Sequence, residues 1–262
     1  MTELAFPPAP PGLPGQPKPR LLSPALVVWI VVAVLGIGVT AAQVGIVFFT
    51  YREYQVPGAA MNPTLKPGGS AIVRARDGED VHRGDVVMFD RGAFAHRDSS
   101  GRSVFRVVAV GGDVVACCTG GQLTVDGKPI TETYLSQDQY ARDAAATTPY
   151  LVRLHEGQVF LLGDERGRAR DSRFLGVVPV SAVTGFVVGT GRISRPAPLS
   201  PTTAFTDAGL PGAPFDDTLY TALRWWLLGG AVLFFAGVTG VVVTLVRRAG
   251  RRRRAAAVPP GH

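Results

Sequence analysis

Two long uncharged apolar runs constrain the fold of this chain more than any other feature. The first extends from Leu21 to Tyr51, and its centre at 25–49 is longer than the roughly 20 residues that a helix needs to cross a bilayer. The second occupies 225–246. Both contain glycine and β-branched residues, which membrane helices tolerate better than soluble ones. We therefore predict transmembrane helices at 24–50 and 225–246.

Each run has an alternative explanation. The first could be a cleaved signal peptide, with small residues at Thr40 and Ala42 near a cleavage site. The apolar part of a signal peptide spans roughly 7–15 residues, whereas this run stays apolar to Phe49. The second could be a buried core helix, but six arginines follow it. An uncleaved anchor and a second membrane span are therefore the predictions.

The charges flanking the two runs predict their orientation. Lys18 and Arg20 precede the first run, and the second is followed by Arg247, Arg248 and Arg251 through Arg254. Positive flanks stay cytoplasmic, where the lipid surface is anionic. Of the formal net charge of +7, this arginine tail supplies six and 1–20 supplies one, so the rest is neutral. We predict cytoplasmic termini, an external 52–223 and a cell-membrane location. No basic stripe interleaved with aromatics indicates nucleic-acid binding.

The region between the two runs has the pattern of a β domain. Short segments rich in Val, Ile and Phe are bounded by turn residues, which is typical of strands. These segments are 70–75, 85–90, 103–111, 122–127, 158–164 and 185–193. The Asp126–Gly127 pair is a strong hairpin signal. We predict a mainly β fold of antiparallel sheets, a sandwich or barrel-like pair, with two transmembrane helices.

Composition also divides the chain. Seven prolines in 1–20 predict an extended cytoplasmic tail, and five prolines in 195–217 predict a linker back to the membrane. The β domain is placed at 52–194, with an inserted subdomain at about 114–154, and 247–262 is an arginine-rich cytoplasmic tail. The adjacent Cys117 and Cys118 would lie in an oxidising compartment, either as thiols, as a strained ring or paired with another chain.

Four motifs occur in order along the β domain: QVPGAAMNPTL (55–65), RGDVVMF (83–89), FRVVAVGGD (105–113) and GDERGRARDSR (163–173). Together with the membrane anchor and the hairpin VDGKPITETYL (125–135), they resemble the bacterial type I signal peptidases. These are membrane-bound serine endopeptidases that remove signal peptides from exported proteins. The resemblance extends from about 25 to 193 and implies that family's fold.

The resemblance also implies a catalytic dyad, and the dyad positions are substituted. The family's nucleophilic serine falls on Ala60, and its general-base lysine falls on Phe105. The hydroxyl that helps to hold the oxyanion falls on Gly58, and the serine that orients the lysine falls on Ala169. A methyl group cannot attack a carbonyl, and a phenyl ring cannot accept a proton. A laboratory Ser→Ala change would account for one of these four substitutions only.

Most scaffold positions of the motifs are kept. Met61, Pro63 and Thr64 are the predicted binding positions of the first motif. The others are Pro57, Gly84, Asp85, Arg106, Gly112, Asp113, Gly163, Asp164, Arg166, Asp171, Ser172 and Arg173, while Glu165 replaces an asparagine. The last motif could be an acid–base site, but we expect Asp164, Arg166, Asp171 and Arg173 to form an ion-paired turn.

Relocated catalytic groups are the alternative to lost catalysis. The chain has three lysines, Lys18, Lys66 and Lys128. A histidine base would need a nearby hydroxyl. The external candidates are His82, His96 and His155 as bases and Thr64, Ser70 and Ser103 as hydroxyls.

Two functions follow from these patterns. The first is a signal-peptidase homologue of protein export that has lost peptidase activity and binds signal peptides or modulates an active paralogue. The second is an active signal peptidase I with relocated catalytic residues. Scattered histidines and unclustered acids predict no metal and no cofactor.

Overall fold

A computed structural model describes residues 23–76, 80–96, 101–117, 122–136, 149–193 and 195–256. The long helices are α1, Pro24–Thr50, and α4, Thr218–Ala256. Two short helices lie between them, α2 at Ser172–Leu175 and α3 at Ala204–Asp207. The predicted proline-rich tail at 1–20, Cys118, the polar run at 137–148 and the last residues, 257–262, lie outside the described residues.

The strands of the described ranges form two antiparallel sheets. They are β1 Tyr51–Gln55, β2 Ser70–Ala75, β3 Val86–Asp90, β4 Arg102–Val110, β5 Val114–Cys117, β6 Thr124–Val125, β7 Lys128–Pro129, β8 Tyr150–Arg153, β9 Gln158–Leu162, β10 Val178–Pro179, β11 Val183–Arg192 and β12 Arg195–Pro198. The large sheet has the order β1–β2–β11–β3–β4–β9–β10, and β12 pairs with β11. The small sheet has the order β7–β6–β5–β8. The predicted fold class, mainly β with two candidate membrane helices, is confirmed.

Strand β9 shows why the central strands are apolar on both faces. Successive side chains of a strand point to opposite sides of the sheet. Val159 and Leu161 join the apolar cluster that contains Phe105. Phe160 and Leu162 join a second cluster with Val115 and Val125 of the small sheet. The predicted insertion at 114–154 therefore shares a core with β4 and β9. That this segment is a separate subdomain stays a prediction.

The Asp126–Gly127 turn joins β6 to β7, as the sequence predicts. Asp126 has φ of 51° and Gly127 has φ of 73°. Two consecutive positive φ values suit the tight two-residue hairpin, and glycine adopts them without a Cβ penalty. Val125 pairs with Lys128 across this turn.

The chain divides into two compact units, one of 23–40 with 228–256 and the other of 41–227. In the first unit, glycines permit close approach of the two helices. An ideal Cβ at Gly36 would lie 2.5 Å from Phe234 N, and one at Gly237 would lie 2.4 Å from Ala33 N. Small residues at such contacts are typical of membrane helix pairs.

In the second unit, Asp217 connects the start of α4 to the large sheet. Its Oδ1 accepts a hydrogen bond from Tyr220 N at 3.0 Å, which caps the helix, and its Oδ2 accepts one from the Tyr51 hydroxyl at 2.9 Å. Arg74 from β2 lies 3.3 Å from the same carboxylate. This cap starts α4 seven residues before the apolar run that the sequence singles out.

Candidate functional site

Ala60, the predicted nucleophile position, lies in the loop between β1 and β2. Met61 and Leu65 of this loop are buried in the main apolar cluster, and Leu65 N donates to Met61 O at 2.8 Å. Val56 N donates to Gly69 O at 2.9 Å and closes the base of the loop. Because both the base and the apolar side chains are anchored, the backbone of Ala60 has a defined place beside the sheet.

Phe105, the predicted general-base position, belongs to β4 opposite Val87 of β3. Its side chain is 2% exposed. Its ring centroid lies 5.6 Å from that of Phe89 and 6.5 Å from that of Phe94. Aromatic rings at these separations attract one another beyond their buried area. Phe105 therefore belongs to an aromatic cluster that continues into the core.

Ala169, the predicted position of the lysine-orienting serine, lies close to Ala60, with Gly163 between them. An ideal Cβ at Gly163 would lie 2.3 Å from the Ala169 Cβ and 2.6 Å from the Ala60 carbonyl oxygen. Glu165 N donates to that same oxygen at 2.9 Å, and Ala169 N donates to Glu165 O at 3.1 Å. The turn after β9 thus packs directly on the loop of Ala60, and only glycine fits between them.

A cleft of about 280 Å³ opens beside Ala60. Its lining is Tyr54, Val56, Pro57, Gly58, Ala60, Met61, Arg91, Ser103, Val104, Phe105, Arg168 and Arg170. The cleft therefore brings together three of the four predicted catalytic positions, Gly58, Ala60 and Phe105. Ala169 does not line the cleft but lies close to Ala60 through Gly163. Of the predicted binding residues, Met61 lines the cleft, whereas Pro63 and Thr64 do not.

The cleft lining, in the described part of the chain, contains neither lysine nor histidine. Its arginines stay protonated and cannot act as bases. Its hydroxyls are Ser103 and Tyr54, and the Tyr54 hydroxyl donates to Arg102 O at 2.9 Å. No described lining residue therefore offers Ser103 a proton acceptor of the lysine or histidine type.

The other candidates for relocated catalysis lie elsewhere. Thr64 Oγ1 donates to Asp164 Oδ2 at 2.5 Å, and Ser70 Oγ donates to Glu53 Oε1 at 2.8 Å. Lys128 Nζ donates to Gly209 O at 2.6 Å. Lys66 is exposed in the first loop, outside the cleft lining. His82, His96 and His155 do not line the cleft either.

A buried polar network lies behind the cleft and includes the predicted structural residue Asp164. Arg106 donates to both carboxylate oxygens of Asp164, at 2.9 and 2.7 Å. It also donates to Thr64 Oγ1 at 3.1 Å and to Gly84 O at 2.9 Å. Its guanidinium carbon lies 4.0 Å from the ring centroid of Tyr134. The partner of Asp164 is thus Arg106, at the position after Phe105.

Arg166 extends this network toward the small sheet. It forms an ion pair with Glu132, and its Nε donates to Gly163 O at 2.9 Å. The Tyr134 hydroxyl donates to the same Glu132 carboxylate at 2.6 Å. Burial, reinforced by the charge of Glu132, raises the pKa of Tyr134 well above its usual value. The tyrosine therefore acts as a hydrogen-bond donor and not as a proton acceptor.

Asp171 and Arg173 form a further ion pair. Arg173 donates to Asp171 from Nε at 2.8 Å and from Nη2 at 2.9 Å. Asp171 also accepts from Gly163 N at 3.0 Å, and Ser172 Oγ accepts from Leu161 N at 2.9 Å. These contacts fix the turn after β9, the same turn that packs on Ala60.

Sequence reasoning missed several residues of this region. Glu132 and Tyr134 come from the predicted insertion, and no local spacing links them to Arg166. The sequence also contains no sign that Arg91, Arg168 and Arg170 line the cleft, because isolated arginines are typical of any solvated surface. Among the described residues, no group of three or more His, Cys, Asp or Glu side chains could hold a metal ion. Cys117 is disulfide-bonded.

Comparison with known proteins places this site in a family. The chain belongs to the family described as signal peptidase, peptidase S26, whose model matches residues 26–190, more than half of the chain. The resemblance that the four motifs predict is therefore confirmed at the level of the family. Membership and the two candidate membrane helices support a role in signal-peptide processing at a membrane.

Individual relatives carry the same description. Signal peptidase I of Leptolyngbya laminosa is 28% identical over 190 residues, which cover 70% of this chain and 87% of that protein. Signal peptidase I of Bacillus licheniformis is 32% identical over 146 residues, 52% of this chain and 74% of that protein. A crystal structure of a signal peptidase I from Enterococcus faecalis is 22% identical, with a TM-score of 0.34 over 42% of this chain and 97% of that one.

Proposed function

We propose that this chain is a membrane-bound signal-peptidase homologue that has lost the peptidase reaction and binds the signal-peptide region of exported proteins. One observation carries the proposal: Ala60 and Phe105, at the family positions of nucleophile and base, line one open cleft. The reaction needs a hydroxyl and a neutral base within hydrogen-bond reach of each other. A methyl group and a phenyl ring supply neither.

The shape of the cleft supports a binding role. Its volume of about 280 Å³ is just below the range for small-molecule sites, roughly 300–1,000 Å³. Val56, Ala60, Met61 and Phe105 make much of its wall apolar. An extended peptide with small side chains is the ligand class that suits a shallow apolar cleft beside β1, the edge strand of the large sheet. In the cell, we propose that this binding modulates an active paralogue, because the two proteins would share substrates.

The orientation belongs to the same proposal. Arginines end α4, and Lys18 and Arg20 precede α1, so both termini are placed in the cytoplasm and the cleft outside. The cleft then lies on the side of the membrane where an exported protein emerges.

Binding without cleavage tests the proposal directly. A fluorescently labelled signal peptide is titrated with the purified full chain in detergent micelles. The mass of the recovered peptide is then measured by mass spectrometry. We expect saturable binding and intact peptide. The blocking variant is Gly58→Trp, since a Cβ at Gly58 meets nothing within 4 Å and the ring can enter the cleft. The matched control is Lys66→Trp, in the same loop but outside the cleft lining.

The two variants separate the outcomes. We expect Gly58→Trp to weaken binding by about tenfold or more and Lys66→Trp to leave it unchanged. Binding that is insensitive to Gly58→Trp would move the peptide site away from the cleft. Cleaved peptide from the unmodified chain would favour the alternative, an active signal peptidase in which Ser103 or another hydroxyl has taken over.

A further inference from the structure

A second and larger concavity, here called the interfacial groove, has about 710 Å³ of space. Its walls are formed by the end of α1 and the start of α4, and its rim is formed by the residues that follow α1. Those wall residues are Gln43, Val44, Val47 and Phe48 on α1 and Tyr220, Leu223 and Leu227 on α4. This groove shares no lining residue with the cleft beside Ala60.

The side chains around the groove place it at a membrane surface. Tyr51 and Tyr220 line it, and Trp225 and Trp226 follow on the same helix as Tyr220. Tyrosine and tryptophan concentrate where the headgroups meet the acyl chains. Leu227 and Val44 are both large exposed apolar side chains. Such surface at this level is covered by lipid when the helices cross a bilayer.

The Tyr220 hydroxyl belongs to the β domain and not to the open part of the groove. Tyr220 is 9% exposed, its hydroxyl is buried, and an ideal Cβ at Gly189 of β11 would lie 2.7 Å from that hydroxyl. A ligand in the groove therefore does not reach this oxygen. The surface that Val44, Val47, Leu223 and Leu227 offer is apolar, so the ligand must be mainly apolar.

The rim of the groove supplies a cation. Arg52 lines the groove and is exposed, and its guanidinium donates to Phe48 O and Tyr51 O at the end of α1. A lipid phosphate at this level is attracted to such a cation. Glu53 also lines the groove and is exposed, and its carboxylate accepts from Ser70 Oγ at 2.8 Å and from Ile193 N at 3.5 Å. Its two oxygens are therefore bonded to the β domain, whereas the Arg52 guanidinium, among the described residues, bonds only the carbonyls at the end of α1.

We propose that the interfacial groove is a binding site for one glycerophospholipid of the surrounding membrane. An acyl chain lies against Val44, Val47 and Leu223. The phosphate lies near Arg52 at the rim. The bound lipid fills the space between the two helices where they join the β domain.

Native mass spectrometry of the full chain tests this assignment. The protein is purified in detergent, palmitoyl-oleoyl-phosphatidylglycerol is added in increasing mole fraction, and the lipids retained per chain are counted. We expect one lipid to be retained under conditions that strip all others. Phosphatidylcholine, added in a parallel series, tests the role of the charge. We expect Arg52→Gln to remove any preference for phosphatidylglycerol.

Two valines of α1 provide a matched pair of variants. Val44 is 58% exposed and lines the groove, whereas Val34 is 60% exposed and does not. We expect Val44→Trp to lower lipid retention by about tenfold and Val34→Trp to leave it as in the unmodified chain.

Three outcomes would overturn the proposal. The first is a chain that retains no lipid. The second is equal retention by Val44→Trp and Val34→Trp when both variants keep the circular dichroism spectrum of the unmodified chain. The third is saturable binding of a leucine-rich helical peptide, blocked by Val44→Trp, in place of any lipid. That third result would assign the groove to a protein segment.

Discussion

The cleft and the polar network behind it are adjacent, but their side chains differ in kind: those at the predicted catalytic positions are apolar, and those of the network are charged. At the cleft, Ala60 and Phe105, the predicted positions of nucleophile and base, present only carbon. One position further along β4, Arg106 keeps two hydrogen bonds to Asp164. The four predicted catalytic positions carry no catalytic group, whereas ion pairs that hold the same loops together are present.

This difference separates what the fold needs from what the reaction needs. A buried arginine without its carboxylate would leave an uncompensated charge, so the network members depend on one another. The cleft residues have no such dependence, because an apolar side chain in place of a serine or a lysine removes a desolvation cost. The comparison predicts that substitutions in the network cost more stability than substitutions in the cleft, whose main effect is on chemistry.

The largest effect is expected from Asp164→Ala. Arg106 has a side-chain exposure of 5% and would lose both charged hydrogen bonds. Breaking a buried pair in this way costs about 3–5 kcal/mol. The measurement is the free energy of unfolding of the purified chain in micelles. Asp207→Ala, at an exposed carboxylate that accepts from Thr203, serves as the control and should stay within about 0.5 kcal/mol. Equal losses for both variants would contradict the comparison.

Asp85 gives the next largest effect, as a dependence of stability on pH. Burial raises the pKa of the Asp85 carboxyl to about 6, against opposing hydrogen bonds from the backbone N–H groups of His82 and Phe215. The folded state then binds the proton more tightly than the unfolded state. Stability is therefore highest below the unfolded pKa and falls as the pH rises from about 4 to about 6, by roughly 2–3 kcal/mol.

Asp85→Asn isolates that contribution. The variant cannot titrate, so the difference in unfolding free energy between it and the unmodified chain should slope between about pH 4 and pH 6 and be flat above. A difference that is flat over the whole range would show that the Asp85 carboxyl does not carry this linkage.

A smaller effect is expected from Phe105→Leu. The substitution keeps the site apolar but loses ring contacts with Phe89 and Phe94. Swaps of this kind cost about 1–1.5 kcal/mol. Thermal unfolding followed by circular dichroism measures the loss. A loss as large as that of Asp164→Ala would mean that the cleft is as structurally constrained as the network.

The smallest effect is expected from Ala60→Ser. Ala60 lines the open cleft, so the added hydroxyl can reach solvent and needs no buried partner. The unfolding free energy should stay within about 0.5 kcal/mol of the unmodified chain. A destabilisation of several times that amount would place the side chain of Ala60 in packed surroundings.

The sequence predicted those strands and turns that are determined by residues close together in the chain. The segment 70–75 coincides with β2, and the Asp126–Gly127 pair forms the hairpin turn, since both depend on side-chain alternation or on φ preferences of adjacent residues. Strand β1, YREYQ, was not predicted because its polar residues lie at a sheet edge. The early start of α4 depends on Asp217, whose partners Tyr51 and Arg74 are far away in sequence.

The sequence likewise predicted one part of the candidate site, the grouping of the cleft positions, and missed another, the long-range ion pairs. Motif order is enough to expect Gly58, Ala60 and Phe105 together, and they line one cleft. Two of the ion pairs were not predictable from spacing. Asp164 pairs with Arg106, 58 residues away, and Arg166 pairs with Glu132, 34 residues away. Long-range pairs of this kind follow from strand order, which no local pattern in the sequence contains.

The central claim is that the scaffold of the family persists here without its reaction, and cleavage of a labelled preprotein measures it most directly. The unmodified chain is compared with a variant carrying Ala60→Ser, Phe105→Lys, Gly58→Ser and Ala169→Ser, and with the same variant lacking Ala60→Ser. Product masses are read by mass spectrometry. The account predicts intact preprotein with the unmodified chain and with the variant lacking the serine, and a cut at the signal site with the four-position variant. A cut at that site by the unmodified chain would contradict it.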